Sequence, residues 1–220
     1  MLLQADQRTK LDESNDALFY GFPRFVNHVD DSFIQQLTDL YRERLKPHSR
    51  IFDMMSSWVS HLPEELTFEW VEGHGMNEEE LARNPRLSHY FVQNLNQNQT
   101  LPLADEAFDA VLNAVSIQYL QYPDKVFAEI YRILKPGGIV LISFSNRMFY
   151  QKAIAAWRNG SETSRVGLVK RYFQSVKGFS TPEIITRPST LPSFLRMLGM
   201  PGGDPFYAVI AEKLEPLVKT

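Results

Sequence analysis

Residues 101–146 read LPLADEAFDAVLNAVSIQYLQYPDKVFAEIYRILKPGGIVLISFSN, and the changes of period inside this stretch decide the fold. Phe108 to Val115 is a short apolar run behind the acidic turn Ala104-Asp105-Glu106, the pattern of a strand buried on both faces. From Asp124 onward Val126, Phe127, Ile130, Ile133 and Leu134 recur at the spacing of one helix face. Pro123 and Asp124 mark the helix start, where a carboxylate meets the positive end of the helix dipole. Lys135-Pro136-Gly137-Gly138 predicts the stop and a tight turn, because proline cannot continue the ladder and glycine accepts positive φ. Ile139 to Phe144 is a second buried strand. Two such strands joined by a helix make a right-handed crossover with parallel pairing. Ligands of open α/β sheets sit beyond the carboxyl ends of the strands, which puts residues 113–116 and 143–146 on the expected functional edge.

Working outward, Asp31 to Leu45 carries one apolar stripe (Phe33, Ile34, Leu37, Leu40, Tyr41, Leu45) and predicts an amphipathic helix ended by Pro47. Ahead of it, residues 1–16 are polar and expected to be loosely packed, and Leu18 to Val29 is aromatic-rich but broken by Gly21 and Pro23. Ser49 to Met55, Phe68 to Val71 and Tyr90 to Leu95 are the expected first three strands. Ser56 to Leu62 allows a short helix at most before Pro63. Asn77-Glu78-Glu79-Glu80 matches a capping box opening a helix toward Ala82. Residues 147–158 and 163–175 read as helices, and Glu183 to Thr186 and Phe206 to Ala211 as closing strands.

The chain of 220 residues is long enough for one domain with a sizeable core. A net charge of −3 argues against bulk nucleic-acid binding, which depends on neutralising phosphates. With no cysteine there is no disulfide and no thiol nucleophile, which suits a reducing, cytoplasmic compartment. The first sixteen residues are too charged for a signal peptide, and no apolar run reaches membrane-spanning length.

LPLADEAFDAVLNAVSIQYL followed by RILKPGGIVLISFSN resembles the central motifs of class I S-adenosylmethionine-dependent methyltransferases, and within them the small-molecule group called methyltransferase type 11. The resemblance covers residues 49–146 well and extends loosely to Lys213. It implies a three-layer Rossmann-like sandwich: a mostly parallel sheet, an antiparallel last strand and an N-terminal helical cap. The implied layout is a single domain over 1–220, with a cap or lid over 1–48, a cofactor-binding core over 49–146, a substrate-side insertion over 147–180 and closing strands over 181–220.

The resemblance also implies site residues, with S-adenosylmethionine as cofactor. The first strand should end in an acid followed by a glycine-rich turn; here Asp53 keeps the acid, while Met55, Ser56, Ser57 and Trp58 stand where glycines are expected. Asp53 is read either as a cofactor-side carboxylate or as an ordinary loop cap. Trp58 is expected to be bulky and buried, as a wall of the pocket or as a plug, with the wall preferred. No acid falls at the end of the second strand, where ribose would be held; Met76 and Asn77 lie there, and Asn77 is read as a ribose contact or, preferred, as a plain helix cap. Asn94 and Leu95 follow the third strand, where an amide could read adenine, and the alternative is a plain polar loop. Asn113, Ala114 and Val115 end the fourth strand beside the expected methionine moiety, and Tyr119 beyond them faces either the reacting methyl or the core.

Other chemistries leave little trace. The five histidines show no metal-ligand spacing, so no metal is expected. His28 and His61 are the histidines near the expected functional loops and are candidate general bases. The stretch 147–177 carries seven cations against Glu162, interleaved with aromatics. It is read as a surface for an anionic substrate, an acidic protein patch or a membrane headgroup layer, or else as a solvated helix face. The expected activity is methyl transfer to a small or medium-sized molecule; the alternative is a methyltransferase-shaped binding or assembly protein without turnover.

Overall fold

In a computed structural model the described residues are 2–188 and 203–215. Seven strands form one sheet in the order β3-β2-β1-β4-β5-β7-β6, with β1 at Arg50–Met54, β2 at Trp70–Gly75, β3 at His89–Val92, β4 at Phe108–Ala114, β5 at Leu134–Phe144, β6 at Glu183–Arg187 and β7 at Phe206–Glu212. The first five pair in parallel, and β7 runs antiparallel to both β5 and β6. The helices are α1 (Asp16–Tyr20), α2 (Asp31–Arg44), α3 (Glu78–Ala82), α4 (Pro123–Ile133), α5 (Ala155–Arg158) and α6 (Glu162–Gln174). This is the expected three-layer, mostly parallel arrangement. The expected connection between the closing strands falls largely on residues 189–202, outside the described residues.

Strand alternation splits the core into two layers. Phe52, Met54, Val140, Ile142, Phe144, Tyr207 and Val209 face α4 and α6, whose Phe127, Ile130, Leu168 and Tyr172 are buried against them. Ile51, Leu112, Leu141, Ala208 and Ile210 face the stripe of α2, with Phe33 and Leu37 fully buried. Strands buried on both sides must be apolar at nearly every position, which is why β4 and β5 were readable as unbroken apolar runs.

Several boundaries differ from expectation for local reasons. β2 starts two residues later and ends four residues later than the expected Phe68–Val71, because Gly73 and Gly75 are strand positions chosen for close approach. A Cβ on Gly73 would meet Leu87 at 2.3 Å, and one on Gly75 would meet the Ser56 carbonyl at 2.6 Å. Lys135-Pro136-Gly137-Gly138 ends α4 but is no free turn: β5 begins at Leu134, the register shifts between Phe108 and Ala110, and Gly137 N–H donates to the Lys213 carbonyl at 2.8 Å. Only Ala155–Arg158 of the stretch 147–158 is helical, and residues 56–62 contain no helix.

The N-terminal segment is not loose. Leu3, Lys10 and Asp16 are buried. Lys10 Nζ meets Asp16 at 2.6 Å, and the fully buried Lys152 reaches Asp12 at 3.0 Å and the carbonyls of Asp12 and Ser14. These contacts strap residues 9–16 onto the segment after β5, and the same long-range bonds replace the helix that had been expected over 147–154.

Candidate functional site

β1 is followed by β2 and β3 on one side, and β4 then returns on the other side, so the sheet switches direction between β1 and β4. A cleft with a cavity volume of about 160 Å³ opens at that point. Its floor is the carboxyl edge of β1, β2 and β4, and its roof is the segment 16–29, with Phe149 closing one side.

The floor is strained and polar. Met55 (φ 57°) and Val115 (φ 52°), which follow β1 and β4, both adopt left-handed backbone, as does His61 (φ 53°). For a β-branched residue such as Val115 this costs about 1–2 kcal/mol. All three line the cleft. Met55 thus makes with a side chain the bend that a glycine was expected to make. The turn is fixed from both sides: Met55 N–H donates to His74 Nδ1 at 3.1 Å, and Ser56 N–H donates to the His74 carbonyl at 2.7 Å. His74 Nε2 therefore carries the proton and donates to the Gln93 carbonyl at 2.9 Å. Burial pushes this imidazole down to about 4, so it is a neutral tie between the loops after β1 and β3.

Asp53 is the buried charge of the floor. Ser56 and Ser60 hydroxyls both donate to its Oδ2 at 2.6 Å, and Asn84 in turn donates to Ser60 Oγ at 2.8 Å and to the Ser57 carbonyl at 2.9 Å. Burial, opposed by the two hydroxyl bonds, pushes its carboxyl up to about 6. Asn77 caps α3 by accepting the Glu80 N–H at 3.0 Å, and its NH2 donates to the Tyr20 carbonyl at 2.9 Å, so both ends of that amide are engaged. Asn94 accepts from Asn96 N–H at 2.9 Å, leaving its NH2 group as a donor at the wall.

The roof is aromatic. The ring of Phe149 lies 5.2 Å from His28, 5.3 Å from Phe19, 6.0 Å from Tyr119 and 6.3 Å from Tyr20. Arg24 lies over Phe19 and Phe149 with its guanidinium held by the carbonyls of Phe19 and Phe22, and its N–H donates to Glu80 at 2.6 Å. Phe149 N–H donates to the Tyr119 hydroxyl at 2.8 Å. His28, at the mouth, is held below the usual imidazole range by partial burial and by Arg24; burial does the same to His61.

Of the residues singled out from the sequence, Asp53, Met55, Ser56 and Ser57 line the cleft from the β1 side. Met76, Asn77, Asn94 and Leu95 line it from the β2 and β3 side, Ala114 and Val115 from β4, and His28, His61 and Tyr119 also face it. Trp58 does not. It is half-buried outside the lining, with its indole N–H on the Val26 carbonyl at 3.3 Å and its ring edge-on to Phe25, so it is neither wall nor plug. The left-handed Met55 and the serine clamp on Asp53 aim the loop outward at this point. Asn113 is also outside the lining, its NH2 tied to the Met54 carbonyl and Ser116 Oγ, and so are residues 143–146. Sequence reading missed Tyr20, Arg24, Glu80 and Phe149. The aromatic density of residues 18–29 was the available signal for the first two; nothing marked Phe149.

Comparison with known proteins fits this geometry. The family described as "Methyltransferase domain" matches residues 74–142, which hold the part of the floor beyond β2, β3 and β4 and most of the β4–α4–β5 unit. A biotin biosynthesis bifunctional protein of Teredinibacter turnerae is 33% identical over 72 residues, which is 33% of this chain and 13% of that protein. A malonyl-[acyl-carrier protein] O-methyltransferase of Marinomonas sp. is 36% identical over 59 residues, 27% of this chain and 22% of that protein. The matches thus span less than a quarter of either relative. Among solved structures, the PH0226 protein of Pyrococcus horikoshii superposes with a TM-score of 0.59 at 16% identity, over 89% of this chain and 98% of that one. Phosphoethanolamine N-methyltransferase 2 of Haemonchus contortus, solved with S-adenosyl-L-methionine, gives 0.57 at 17% identity over 82% and 52%. The chain is thus similar to the methyltransferase-domain family over residues 74–142, and its sheet has the fold of solved S-adenosylmethionine-dependent methyltransferases.

Proposed function

We propose that the cleft binds S-adenosylmethionine and that the protein transfers its methyl group to a small molecule, in a cytoplasm-like compartment. The observation that carries this reading is the cleft itself: it opens at the switch point of a methyltransferase-fold sheet, floored in part by the segment that matches the family. The residues present fit such a ligand. Asp53 and Glu80 offer carboxylates to a ligand bearing cationic groups, Asn94 offers an amide donor, and left-handed Met55 and Val115 provide the bends that let the ligand lie close to the sheet edge. When bound, S-adenosylmethionine would supply a methyl group on a sulfonium sulfur. The chain's part is to hold an acceptor against it and exclude water, and alignment of this kind accounts for much of the rate enhancement in a direct transfer.

A second reading, a binding protein without turnover, draws on the glycine-free turn locked by Asp53, Ser56, Ser60 and Asn84. Calorimetric titration with S-adenosylhomocysteine separates the two. The methyltransferase reading expects a dissociation constant in the micromolar range; absence of heat and of thermal shift at millimolar ligand would leave the binding-protein reading standing. As for an anionic or membrane-surface partner, Arg147 is paired with Asp204, Lys152 is buried and the Arg165 side chain donates to the Trp157 carbonyl, so such a partner would meet chiefly Lys170, Arg171 and Lys177.

A further inference from the structure

We infer that the outer surface of the roof docks on a phospholipid bilayer, with Leu18, Phe22 and Val26 entering its apolar layer and arginines meeting the phosphates. The inference goes beyond the methyl-transfer reading and does not depend on it. Three observations carry it, and the first is concentration. Of the eight large apolar side chains exposed among the described residues, five (Leu11, Leu18, Phe22, Val26 and Tyr150) lie on the roof, its strap or the loop that closes it. Leu18 and Phe22 are each 77% exposed. Gly21 (φ −64°, ψ −20°) prolongs the turn of α1, so these two, four residues apart, share one face. Leu11 N–H donates to the Gln151 carbonyl at 3.1 Å and the Phe19 ring lies 5.3 Å from Phe149, which brings both chain neighbours of Tyr150 against the strap and the roof. Exposed apolar residues scattered singly need no explanation, but a cluster of this kind marks an interaction site.

The second is shape. Leu11, Leu18, Phe22 and Tyr150 lie outside the lining of the cleft, whereas the rings of Phe19 and Tyr20 turn to Phe149. Single side chains that stand out from a surface enter a fluid apolar layer without needing a groove to receive them. Val26 belongs to both surfaces, 56% exposed and yet in the cleft lining, so the docked face includes the lip of the cleft. The third is charge. Arg24 and Arg158 form no ion pair among the described residues. Arg24 donates to the Phe19 and Phe22 carbonyls and lies 4.7 Å over the Phe19 ring; Arg158 donates to the Ala153 carbonyl and lies 5.8 Å over Tyr150. The acids around them are engaged: Asp16 pairs with Lys10 at 2.6 Å, Asp12 with Lys152 at 3.0 Å, and Glu80 accepts the Arg24 backbone N–H at 2.6 Å. Glu13 is the exposed acid left in residues 11–29. Guanidinium groups beside an apolar cluster, with the local acids neutralised internally, complement a layer of phosphates over hydrocarbon.

The test is cosedimentation of the full chain with phosphatidylcholine vesicles at low and at high salt. Saturable binding is expected, and it should persist at high salt because apolar burial is not screened. Leu18→Ser and Phe22→Ser are each expected to weaken it about tenfold, the size of one apolar side chain left in water. Both positions are exposed and outside the cleft lining, so the thermal midpoint and the affinity for S-adenosylhomocysteine without vesicles should not move. Lys170→Glu with Arg171→Glu is expected to leave vesicle binding in place. Absence of binding, binding that survives Leu18→Ser with Phe22→Ser, or binding lost only with Lys170→Glu and Arg171→Glu overturns the inference. A parent chain that dimerises through Leu18 and Phe22 and ignores vesicles assigns the roof to a second copy, and overturns it too. Vesicle binding in a chain that fails to bind S-adenosylhomocysteine would keep the docking surface and sink the methyl-transfer reading instead.

Discussion

The two edges of the central sheet are built by opposite rules. At the amino edge the charges are matched: Asp109 accepts from Lys135 Nζ and the Arg50 N–H, each at 2.8 Å, and Lys213 Nζ reaches Glu106 at 3.1 Å and the Leu134 carbonyl at 2.7 Å. Left-handed backbone occurs there too, at Gly137 (φ 74°), which adopts it without strain, and at His48 (φ 61°) and Glu106 (φ 49°). At the carboxyl edge Asp53 is buried among hydroxyls with no cation in contact, His74 is buried neutral, and left-handed backbone falls on methionine and valine. Both edges carry strained backbone, but the unneutralised buried charge gathers at the carboxyl edge, where a ligand is to be met. The difference teaches that the amino edge is optimised for stability, while the carboxyl edge gives some stability away.

The sharpest way to break this contrast is Asp53→Asn. The folded chain holds the Asp53 proton more tightly than the unfolded chain, so the parent loses stability as pH rises from about 4 to about 6 and stays at the lower level above that. A shift of about two units corresponds to about 3 kcal/mol. Asparagine is therefore expected to stabilise the protein by up to about 3 kcal/mol at pH 7 and to change little below pH 4. His74 works the other way: its lowered value means stability present above about 6.5 and lost as pH falls toward 4. In the parent the two slopes oppose each other; in Asp53→Asn the acid-side loss should stand alone. Urea unfolding across pH 4 to 7 measures both, and a variant less stable than the parent at pH 7 would refute the idea of a costly floor. S-adenosylhomocysteine affinity should fall in the same variant.

A smaller effect is expected from the backbone. Val115→Asn keeps a side chain of similar size but suits the left-handed conformation, and should stabilise by about 1 kcal/mol. If unfolding midpoints show a loss instead, the strain assigned to this edge is not there. The smallest effect is the mirror experiment, Gly137→Ala. No atom lies within 4 Å of the added Cβ, so the change isolates the backbone term and should cost about 1 kcal/mol. Ligand affinity should be indifferent to it, because Gly137 lies at the opposite edge. An effect on S-adenosylhomocysteine binding as large as that of Asp53→Asn would erase the distinction between the edges.

Much of the floor was legible in the sequence, and the reason is locality. Asp53, Asn94, Ala114 and Val115 lie at or just past the ends of strands whose apolar runs can be counted, and strand ends in a parallel sheet converge on one edge. The roof was not legible. Phe149 sat in a stretch that reads as helix, and what prevents the helix is Lys152, tied to Asp12 and to the Asp12 and Ser14 carbonyls about 140 residues away in sequence. Trp58 misled for a related reason: bulk in place of glycine predicts a filled pocket only if the turn keeps its usual path, and here Asp53, Ser56 and Ser60 close the loop on themselves.

The sequence by itself determined the layered parallel sheet, the crossover from β4 to β5 and the edge on which the site lies. Period and run length are properties of neighbouring residues, and a strand buried on both faces has no choice of composition. Only the tertiary structure decided which side chains line the cleft, that residues 16–29 form its roof, and that Asp53 is buried with no cation in contact among the described residues. Those are matters of contact between segments far apart in the chain. A single hydrogen bond, such as Met55 N–H to His74, can redirect a loop without leaving a mark in the local pattern.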